Sequence, residues 1–431
     1  MDIKAFLLIL FFITYLVIIA SEKIQNYIAK VTNLRNLKIH KSVVIWLAII
    51  LLILLNAIKI KSIVGFVNWD IILLFLSTMA IAEAFIMSNI PSLLALKILK
   101  FSKSNVSAII LLSVFAGFIS IFCENVATVL IMAPIAFEIA RKIDTSPIPF
   151  VISIAISSNL QGAALLIGDP PSMILASFNK MKFMDFIFYQ GKPSMFFAME
   201  ISAVVSLIVL YLIFRKNRST FKFERTKIAV KIIPGIILIL FIITIASGIL
   251  SPGKTALIYA IISAIWMLSN NPKASYKLVK KLDYDTVFFL IGIFIFTGAL
   301  EVNGVISNIA HWFNTIGRGN LFLTYSILVW GSVVISAFID NIPYVAAMMP
   351  VGIALAHIFG INQSLFLFGI VIGASVGGNI TPIGASANIV GVGMLRKRKY
   401  YVNFMDFVKI GLPFTFFSVL AAYIFIWFIY T

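Results

Sequence analysis

The chain has 431 residues, of which 61% are hydrophobic and only 12% are charged, and its net charge is +18. An ordinary soluble domain carries about 25% charged residues, so this composition excludes a cytosolic enzyme, a disordered scaffold and a secreted disulfide module. It is typical of a polytopic membrane protein, and the single cysteine, Cys123, excludes an intrachain disulfide and an all-cysteine metal site.

Apolar runs of about 20 residues, long enough to cross a membrane, recur along the chain. In chain order they predict spans at 3–20, 43–58, 69–88, 193–214, 232–250, 254–269, 285–301 and 408–430. The first run also fits a signal peptide, but no small-residue cleavage site follows it, so we expect a retained helix. Two longer stretches, 148–178 and 362–395, are interrupted by Gly and Pro and are predicted to be broken helices.

Two further segments each contain a pair of apolar helices that are short for full spans. Residues 104–142 hold arms at 107–122 and 126–140, and residues 319–358 hold arms at 320–339 and 342–356. We expect both to be re-entrant hairpins that enter and leave on the same side, although two complete spans give the same crossing parity. The predicted fold is an all-α polytopic membrane protein with ten crossings.

Basic residues predict the orientation of these spans. Lys and Arg are concentrated in segments that the predicted crossings place on one side, at 23–41, 97–103, 141–142, 215–231, 273–281 and 396–409. By the positive-inside rule that side is cytoplasmic, which puts both termini outside a cell membrane. Membrane topology thus accounts for the positive charge, and we expect no nucleic-acid partner.

The sequence repeats itself at an offset of 216 residues. SIFCENVATVLIMAP, from Ser120 to Pro134, aligns with SAFIDNIPYVAAMMP, from Ser336 to Pro350, and FMDF recurs at 183–186 and 404–407. Each half has five predicted crossings, and an odd number inverts the second half, as in secondary transporters. The single Gly-x-x-x-x-Gly-Lys-Ser/Thr match, GILSPGKT at 248–255, falls between two predicted apolar spans and not between a strand and a helix, so direct ATP drive is not supported. The expected domains are a first inverted repeat at 1–214, a basic cytoplasmic linker at 215–231 and a second inverted repeat at 232–431.

The hairpin tips carry the most informative polar residues, Glu124-Asn125 and Asp340-Asn341. Re-entry places them near mid-membrane, where an ionisable group costs at least ~2.5–3.5 kcal/mol. Carbonyl, Asn and carboxylate oxygens suit a cation, whereas free amides at a helix start suit an anion or a neutral hydroxide. The alternative is that these residues only cap the following helix, but capping does not require a buried acid in both halves.

The broken helices supply the other candidate residues. Glycine lets the backbone approach a ligand and proline frees carbonyl groups, although small residues also serve helix packing. Asp169 has Ala385 at its repeat position, and this asymmetry makes Asp169 a candidate coupling-ion or proton site. The remaining candidates here are Asn159 for coupling and Gly162, Ser172, Gly378, Asn379, Thr381, Ser386 and Asn388 for substrate binding, together with Asn125 and Asn341 at the tips.

These motifs resemble the ion transporter superfamily and, within it, the arsenite permease and sodium–proton antiporter (ArsB/NhaD) family. The resemblance covers essentially the whole chain and rests on ENVATVLIMAP with GDPPS in the first half and DNIPYVAAMMP with GGNITPIGASAN in the second. The more distant dicarboxylate (DASS) carriers are similar but have Ser-Asn-Thr at the tips. Two departures from the family pattern are Ser172, where GDPPN is common, and Glu124, where Asp is more usual.

The resemblance implies an elevator-type secondary transporter, in which hairpins and broken helices move against a scaffold of the other spans. The expected function is proton-coupled efflux of arsenite or antimonite, with coupling through Glu124, Asp340, Asp169 and Asn159. A sodium–proton antiporter is the alternative, with Na⁺ held at the two tips by Glu124, Asn125, Asp340 and Asn341. An anion carrier of the dicarboxylate or citrate type is the third option.

We expect no enzyme and no resident cofactor. The expected partners are a small inorganic solute, H⁺ or Na⁺ as the coupling ion, and the lipid bilayer, with a homodimer and an accessory ATPase left open. From other classes, a passive channel and a membrane-embedded hydrolase using Asp169 and Asp340 are the weaker alternatives.

Overall fold

The fold is described from a computed structural model, which covers residues 4, 6–14, 16, 17, 40–102, 104–215, 228–270 and 282–431. Residues 6–14, 16 and 17 are helical and lie within the first predicted span. Most of the predicted basic linker, and most of the basic segments near 23–41 and 273–281, lie outside the described residues.

The described chain is mostly helical. Its first helices are α1 (Lys41–Leu54), α2 (Ile63–Phe66), α3 (Trp69–Met87), α4 (Ile90–Leu99), α5 (Asn105–Ser120), α6 (Asn125–Lys142), α7 (Ile148–Gly162), α8 (Pro170–Asn179) and α9 (Met195–Phe214). They are followed by α10 (Ile233–Ser247), α11 (Pro252–Asn270), α12 (Tyr284–Val302), α13 (Val305–Ile316), α14 (Leu321–Ser336), α15 (Asn341–Phe359), α16 (Ser364–Gly377), α17 (Ser386–Lys397) and α18 (Phe404–Tyr430). Short 3-10 turns cover Ile60–Ser62, Phe183–Phe186 and Gly378–Ile380.

Several helices are long and apolar enough to cross a membrane. Among the described residues these are six, namely α3, α9, α11, α12, α15 and α18, or seven if the bent pair α13–α14 forms one span. The predicted spans at 69–88, 193–214, 254–269, 285–301 and 408–430 match α3, α9, α11, α12 and α18 to within four residues. The protein is therefore a mostly helical polytopic membrane protein.

Two helix–tip–helix segments match the predicted hairpins in position. The first consists of α5 and α6, joined by the first tip, residues 121–124; the second consists of α14 and α15, joined by the second tip, residues 337–340. The predicted length of the arm at 342–356 is wrong, because α15 has 19 residues and is long enough to span a membrane. It continues to Phe359 and ends at Gly360, which adopts φ 65.

The broken helices lie beside the two tips. The first consists of α7 and α8, interrupted at residues 163–169, and the second consists of α16 and α17, interrupted at residues 378–385. Helix α7 packs against α5, and α16 packs against α14 in the same way. At each break two glycines pack against each other, since a Cβ on Gly168 would meet the carbonyl oxygen of Gly162 and a Cβ on Gly384 would meet that of Gly378.

Helix α13 was not predicted from the sequence. It begins after Gly304, which has φ 72, and buries Val305, Ile306, Ile309 and Ala310 on one face. Its axis makes an angle of 112° with that of α14. With 12 residues and a polar opposite face, α13 contains no apolar run long enough to indicate a span.

The two copies of FMDF adopt different structures. Residues 183–186 form a 3-10 turn that leads into an antiparallel strand pair, β1 (Phe188–Tyr189) and β2 (Lys192–Pro193), so the predicted all-α fold is wrong in this detail. Residues 404–407 instead begin the continuous helix α18. The cause is local: Gln190 and Gly191 both adopt positive φ, as a tight hairpin turn requires, and the second copy has no such pair.

Candidate functional site

The tips, the breaks, α3 and the start of α12 surround one cavity of about 170 Å³. Four carboxylates line it, and every charged side chain that lines it within the described chain is acidic. A cavity with one sign of charge attracts ions of the opposite sign, so this one favours cations. The polar residues that line it are Glu124, Asn125, Asn159, Asp169, Asp283, Thr286, Asp340, Asn341 and Ser386.

Glu124 and Asp340 occupy the residue before α6 and before α15, the position from which a side chain can cap a helix. Within the described residues neither side chain makes a capping hydrogen bond, so their contacts do not support the capping interpretation. The first tip is fixed instead through Asn125. The Ser120 hydroxyl donates to Asn125 Oδ1 at 2.6 Å, and the Ser158 hydroxyl donates to the Asn125 carbonyl at 3.2 Å.

A lysine that the sequence did not suggest reaches the second tip. Lys41, the first residue of α1, places Nζ 2.8 Å from Asp340 Oδ2, with side-chain exposures of 17% and 27%. Its ammonium also lies 5.4 Å from the centroid of the Phe289 ring. Lys41 therefore supplies a positive charge next to an otherwise acidic cavity.

A second missed residue is Asp283, which precedes α12 and lines the cavity. Its carboxylate accepts hydrogen bonds from the Thr286 N–H at 3.0 Å and the Thr286 hydroxyl at 2.6 Å. Asp283 thus caps α12, so helix capping alone explains its contacts, while its position adds negative charge to the cavity wall.

An asparagine network joins the two broken helices. Asn159 donates through Nδ2 to Asn379 Oδ1 at 2.8 Å and to Asn388 Oδ1 at 3.0 Å. Asn388 in turn donates to two carbonyl oxygens of the second break, both at 2.9 Å. These amides satisfy one another, so the network holds the breaks together, and substrate binding by Asn379 and Asn388 stays a prediction.

Asp169 combines the two roles considered for it. Its Oδ1 accepts a hydrogen bond from the Ser172 N–H at 3.0 Å and caps α8, and its side chain is only 1% exposed. It also lines the cavity beside Pro170. The contacts of Asp169 therefore include a cap without excluding an ion at its second oxygen.

The predicted residues divide between the cavity and the layer behind it. Those lining the cavity are Glu124, Asn125, Asn159, Asp169, Asp340, Asn341 and Ser386. Those behind it are Gly162, Ser172, Gly378, Asn379, Thr381 and Asn388. No group of three or more His, Cys, Asp or Glu side chains in the described ranges is arranged to hold a metal ion.

Comparison with known proteins adds the family. A family model described as "Citrate transporter" (CitMHS) matches residues 15–368, well over half of the chain. The chain belongs to the CitMHS family. This assignment agrees with the superfamily that the motifs resemble, whereas membership of the ArsB/NhaD family is not confirmed.

Relatives of this CitMHS protein include several described as membrane proteins or transporters. It is 28% identical over 381 residues to a "46 kDa membrane protein" of Mycobacterium leprae, with 84% of this chain and 86% of the relative covered. It is 26% identical over 429 residues to an "uncharacterized transporter" of Synechocystis, with 91% and 94% covered. The human "P protein" is 23% identical over 442 residues, with 82% of this chain but 53% of that protein covered.

Two solved transporter structures share the fold. The YdaH transporter of Alcanivorax borkumensis matches with a TM-score of 0.58 over 85% of this chain and 86% of its own. MtrF of Neisseria gonorrhoeae, described among antimetabolite efflux pumps, matches with a TM-score of 0.59 over 88% and 83%. Both are 14% identical to this chain, so they bear on the fold alone. Family and fold together identify a secondary transporter and not an enzyme.

Proposed function

We propose that this CitMHS protein exchanges a small cation, with Na⁺ as the first candidate, for protons at the carboxylate-lined cavity. The observation that carries this proposal is the charge of the wall, to which Glu124, Asp169, Asp283 and Asp340 all contribute. Hard oxygen donors suit an alkali cation, and carboxylates at a membrane-embedded site are the usual carriers of protons.

The same wall is unfavourable for a free polycarboxylate. Two like charges 4 Å apart repel by about 4 kcal/mol at an effective dielectric constant of about 20, and several acids face the cavity. Lys41 offsets only one of these charges, through Asp340. The family's description as citrate transporters keeps citrate as the second candidate, provided that a bound cation neutralises it.

Arsenite efflux, the first expectation from the sequence, stays a prediction. Neutral arsenite requires oxygen or nitrogen groups such as those of Asn125, Asn341 and Ser386, which line the cavity. The single cysteine, Cys123, is buried and contributes no thiol to the lining. The described contacts therefore give arsenite no advantage over a cation.

Contacts between corresponding positions of the two halves support an internal repeat. The Ser120 hydroxyl lies 2.9 Å from the Ser158 hydroxyl, and at the 216-residue offset the Ser336 hydroxyl donates to the Ala374 carbonyl at 2.6 Å. In this proposal the tips and breaks move together as an elevator against the other spans. The positive-inside rule predicts that Lys41, at the end of a basic segment of the sequence, lies toward the cytoplasm.

The test uses the full-length protein purified into sealed proteoliposomes that contain a pH-sensitive dye. An imposed proton gradient is challenged separately with Na⁺, K⁺, arsenite, citrate, and citrate with an equimolar divalent cation. We expect Na⁺ to dissipate the gradient in the wild type and to fail in Asp340→Asn. Asp406→Asn is the matched control, because the Asp406 carboxylate only accepts a hydrogen bond from Asn403 Nδ2 at 3.0 Å on the exposed start of α18 and does not line the cavity.

Each of the other outcomes would replace or reject the proposed cation–proton exchange. Proton movement driven by arsenite without a Na⁺ response would replace the proposal with the arsenite exporter. A response to citrate alone, or only to citrate with the divalent cation, would replace it with the anion carrier. If correctly folded protein moves no protons in response to any of the solutes, cation–proton exchange is rejected.

A further inference from the structure

A second cavity, of about 180 Å³, lies between α5, α7 and α9. Within the described chain it shares no lining residue with the carboxylate-lined cavity. Its polar lining residues are Ser113, Ser157, Gln161, Glu200 and Ser206. Glu200 is the sixth residue of α9, about 7.5 Å along a helix long enough to span the membrane. An ionisable side chain inside a membrane span is costly and usually serves a function.

Two of these side chains are buried with an atom that lacks a hydrogen bond. Ser157 and Gln161 are 5% and 8% exposed, and neither the Ser157 hydroxyl nor Gln161 Oε1 has a partner among the described residues. The Gln161 side chain lies within hydrogen-bonding reach of the Glu200 carboxylate, so its amide nitrogen faces that acid. The Ser113 and Ser206 hydroxyls donate to backbone carbonyls at 2.8 Å, which leaves only their lone pairs for a ligand. The cavity therefore presents mainly hydrogen-bond acceptors.

The equivalent place in the second half contains glycines. At the 216-residue offset Ser157 and Gln161 correspond to Gly373 and Gly377. A Cβ on either glycine would lie within 2.7 Å of the α14 backbone, so α14 and α16 are in direct contact there. The first half instead has two buried polar side chains at these positions. Helix packing does not require them, and buried polar groups need a partner.

The charge and the opening of this cavity indicate the kind of partner. Glu200 is the only charged side chain that lines it in the described chain, so a positive charge is favoured. The rim consists of Val114, Phe118 and Val204, which are 46%, 55% and 60% exposed and face hydrocarbon in a membrane. A bare ion does not enter through hydrocarbon, because it would lose its hydration. The ligand must therefore carry an apolar part.

We infer that this second cavity binds the ammonium group of a lipophilic amine that enters from the bilayer. An ammonium has three N–H donors, which match the Glu200 carboxylate, Gln161 Oε1 and the Ser157 hydroxyl oxygen. Sites that enclose a drug-sized ligand measure about 300–1,000 Å³, so only the ammonium and the first carbons fit inside. The rest of the chain lies along Phe118 and Val204. This site does not depend on the proposed cation–proton exchange.

The experiment measures thermal unfolding of the full-length purified protein in uncharged maltoside micelles during titration with n-decylammonium chloride at constant ionic strength. We expect the midpoint temperature of the wild type to rise in a saturable manner. Two further probes share the decyl chain: n-decanol lacks the charge, and n-decyltrimethylammonium lacks the N–H donors. Neither should give a saturable rise.

Substitutions in the polar floor test where the amine binds. Glu200→Gln should raise the half-saturating n-decylammonium concentration by about tenfold, because the ammonium loses its charged partner. Ser157→Ala should raise it by about fivefold, the effect of one hydrogen bond, and provides the test if Glu200→Gln does not fold. Ser153→Ala is the matched control and should keep the wild-type value. The Ser153 hydroxyl is also buried without a hydrogen bond to described residues, but it does not line the cavity.

Three results would overturn the site. The first is a wild-type midpoint without a saturable response; if Val204→Trp then also changes the oligomeric size, a second copy covers this face instead. The second is an equal half-saturating concentration in the wild type, Glu200→Gln and Ser157→Ala, which means that the amine acts only through the micelle. The third is an equal response to n-decyltrimethylammonium, which means that the acceptors make no hydrogen bonds to the ligand.

Discussion

Replacing Lys41 by methionine tests whether its ammonium and the transported cation compete for Asp340. The two groups are in direct contact, with Nζ 2.8 Å from Oδ2, so a cation that binds this carboxylate must displace the ammonium. We expect the Na⁺ concentration that gives half-maximal proton movement to fall in Lys41→Met.

The partial burial of the pair sets the size of this change. Exposed ion pairs contribute about 0–1 kcal/mol, whereas removing one partner of a buried pair costs about 3–5 kcal/mol. With side chains only 17% and 27% exposed, the Lys41–Asp340 pair lies between these limits, at about 2 kcal/mol. That free energy corresponds to about a thirtyfold lower half-maximal Na⁺ concentration.

The assay is a Na⁺ titration of proton movement in proteoliposomes. Lys41→Arg retains the charge and should remain close to the wild type. Lys192→Met is the matched control, because Lys192 Nζ donates to the Ile429 carbonyl at 2.7 Å and does not line the cavity. An unchanged half-maximal concentration in Lys41→Met would refute the competition.

Two further substitutions test the tip and the second break. Glu124→Gln should abolish Na⁺-driven proton movement while the unfolding midpoint stays within about 2 °C, because no capping bond to described residues is lost. Glu138→Gln, on the helix α6 that follows Glu124 and outside the cavity, should keep transport. A fall of many degrees in Glu124→Gln would restore the capping interpretation. Gly411→Ala should destabilise the protein by about 1–3 kcal/mol in thermal unfolding, because its Cβ would collide with the Asn379 carbonyl oxygen. Gly331→Ala, with nothing within 4 Å of the added Cβ, should be neutral or stabilise by up to about 1 kcal/mol; equal loss in both variants would contradict the predicted collision.

Local features of the sequence were sufficient for five of the predicted spans and for the acids at the tips, whereas the predicted spans at 43–58 and 232–250 correspond to helices of only 14 and 15 residues. Hydropathy is a property of neighbouring residues, so α3, α9 and α12 could be located closely. The repeat placed Glu124 and Asp340 at equivalent tips, and both line the cavity. The end of α15 is marked by Gly360, whose positive φ terminates the helix, so the three-residue error in the predicted arm concerns a local signal and not a distant contact.

Contacts between distant segments explain the residues that were missed. Lys41 and Asp340 are 299 positions apart, and Lys41 ends a basic run that resembles any cytoplasmic loop. Asp283 had a local signal, since an Asp immediately before an apolar run is a helix-start residue. That pattern predicts the start of α12 but not that this start forms a cavity wall.

The bond between Asn159 and Asn388 also constrains how the protein is made. The two residues are 229 positions apart, so at roughly 5–20 residues per second the ribosome reaches Asn388 about 10–45 s after Asn159. During that interval the Asn159 amide has neither of its two asparagine acceptors, in a segment that hydrocarbon would otherwise surround. The nascent first half therefore needs water, or a partner in the insertion machinery, until the last part of the chain enters the membrane.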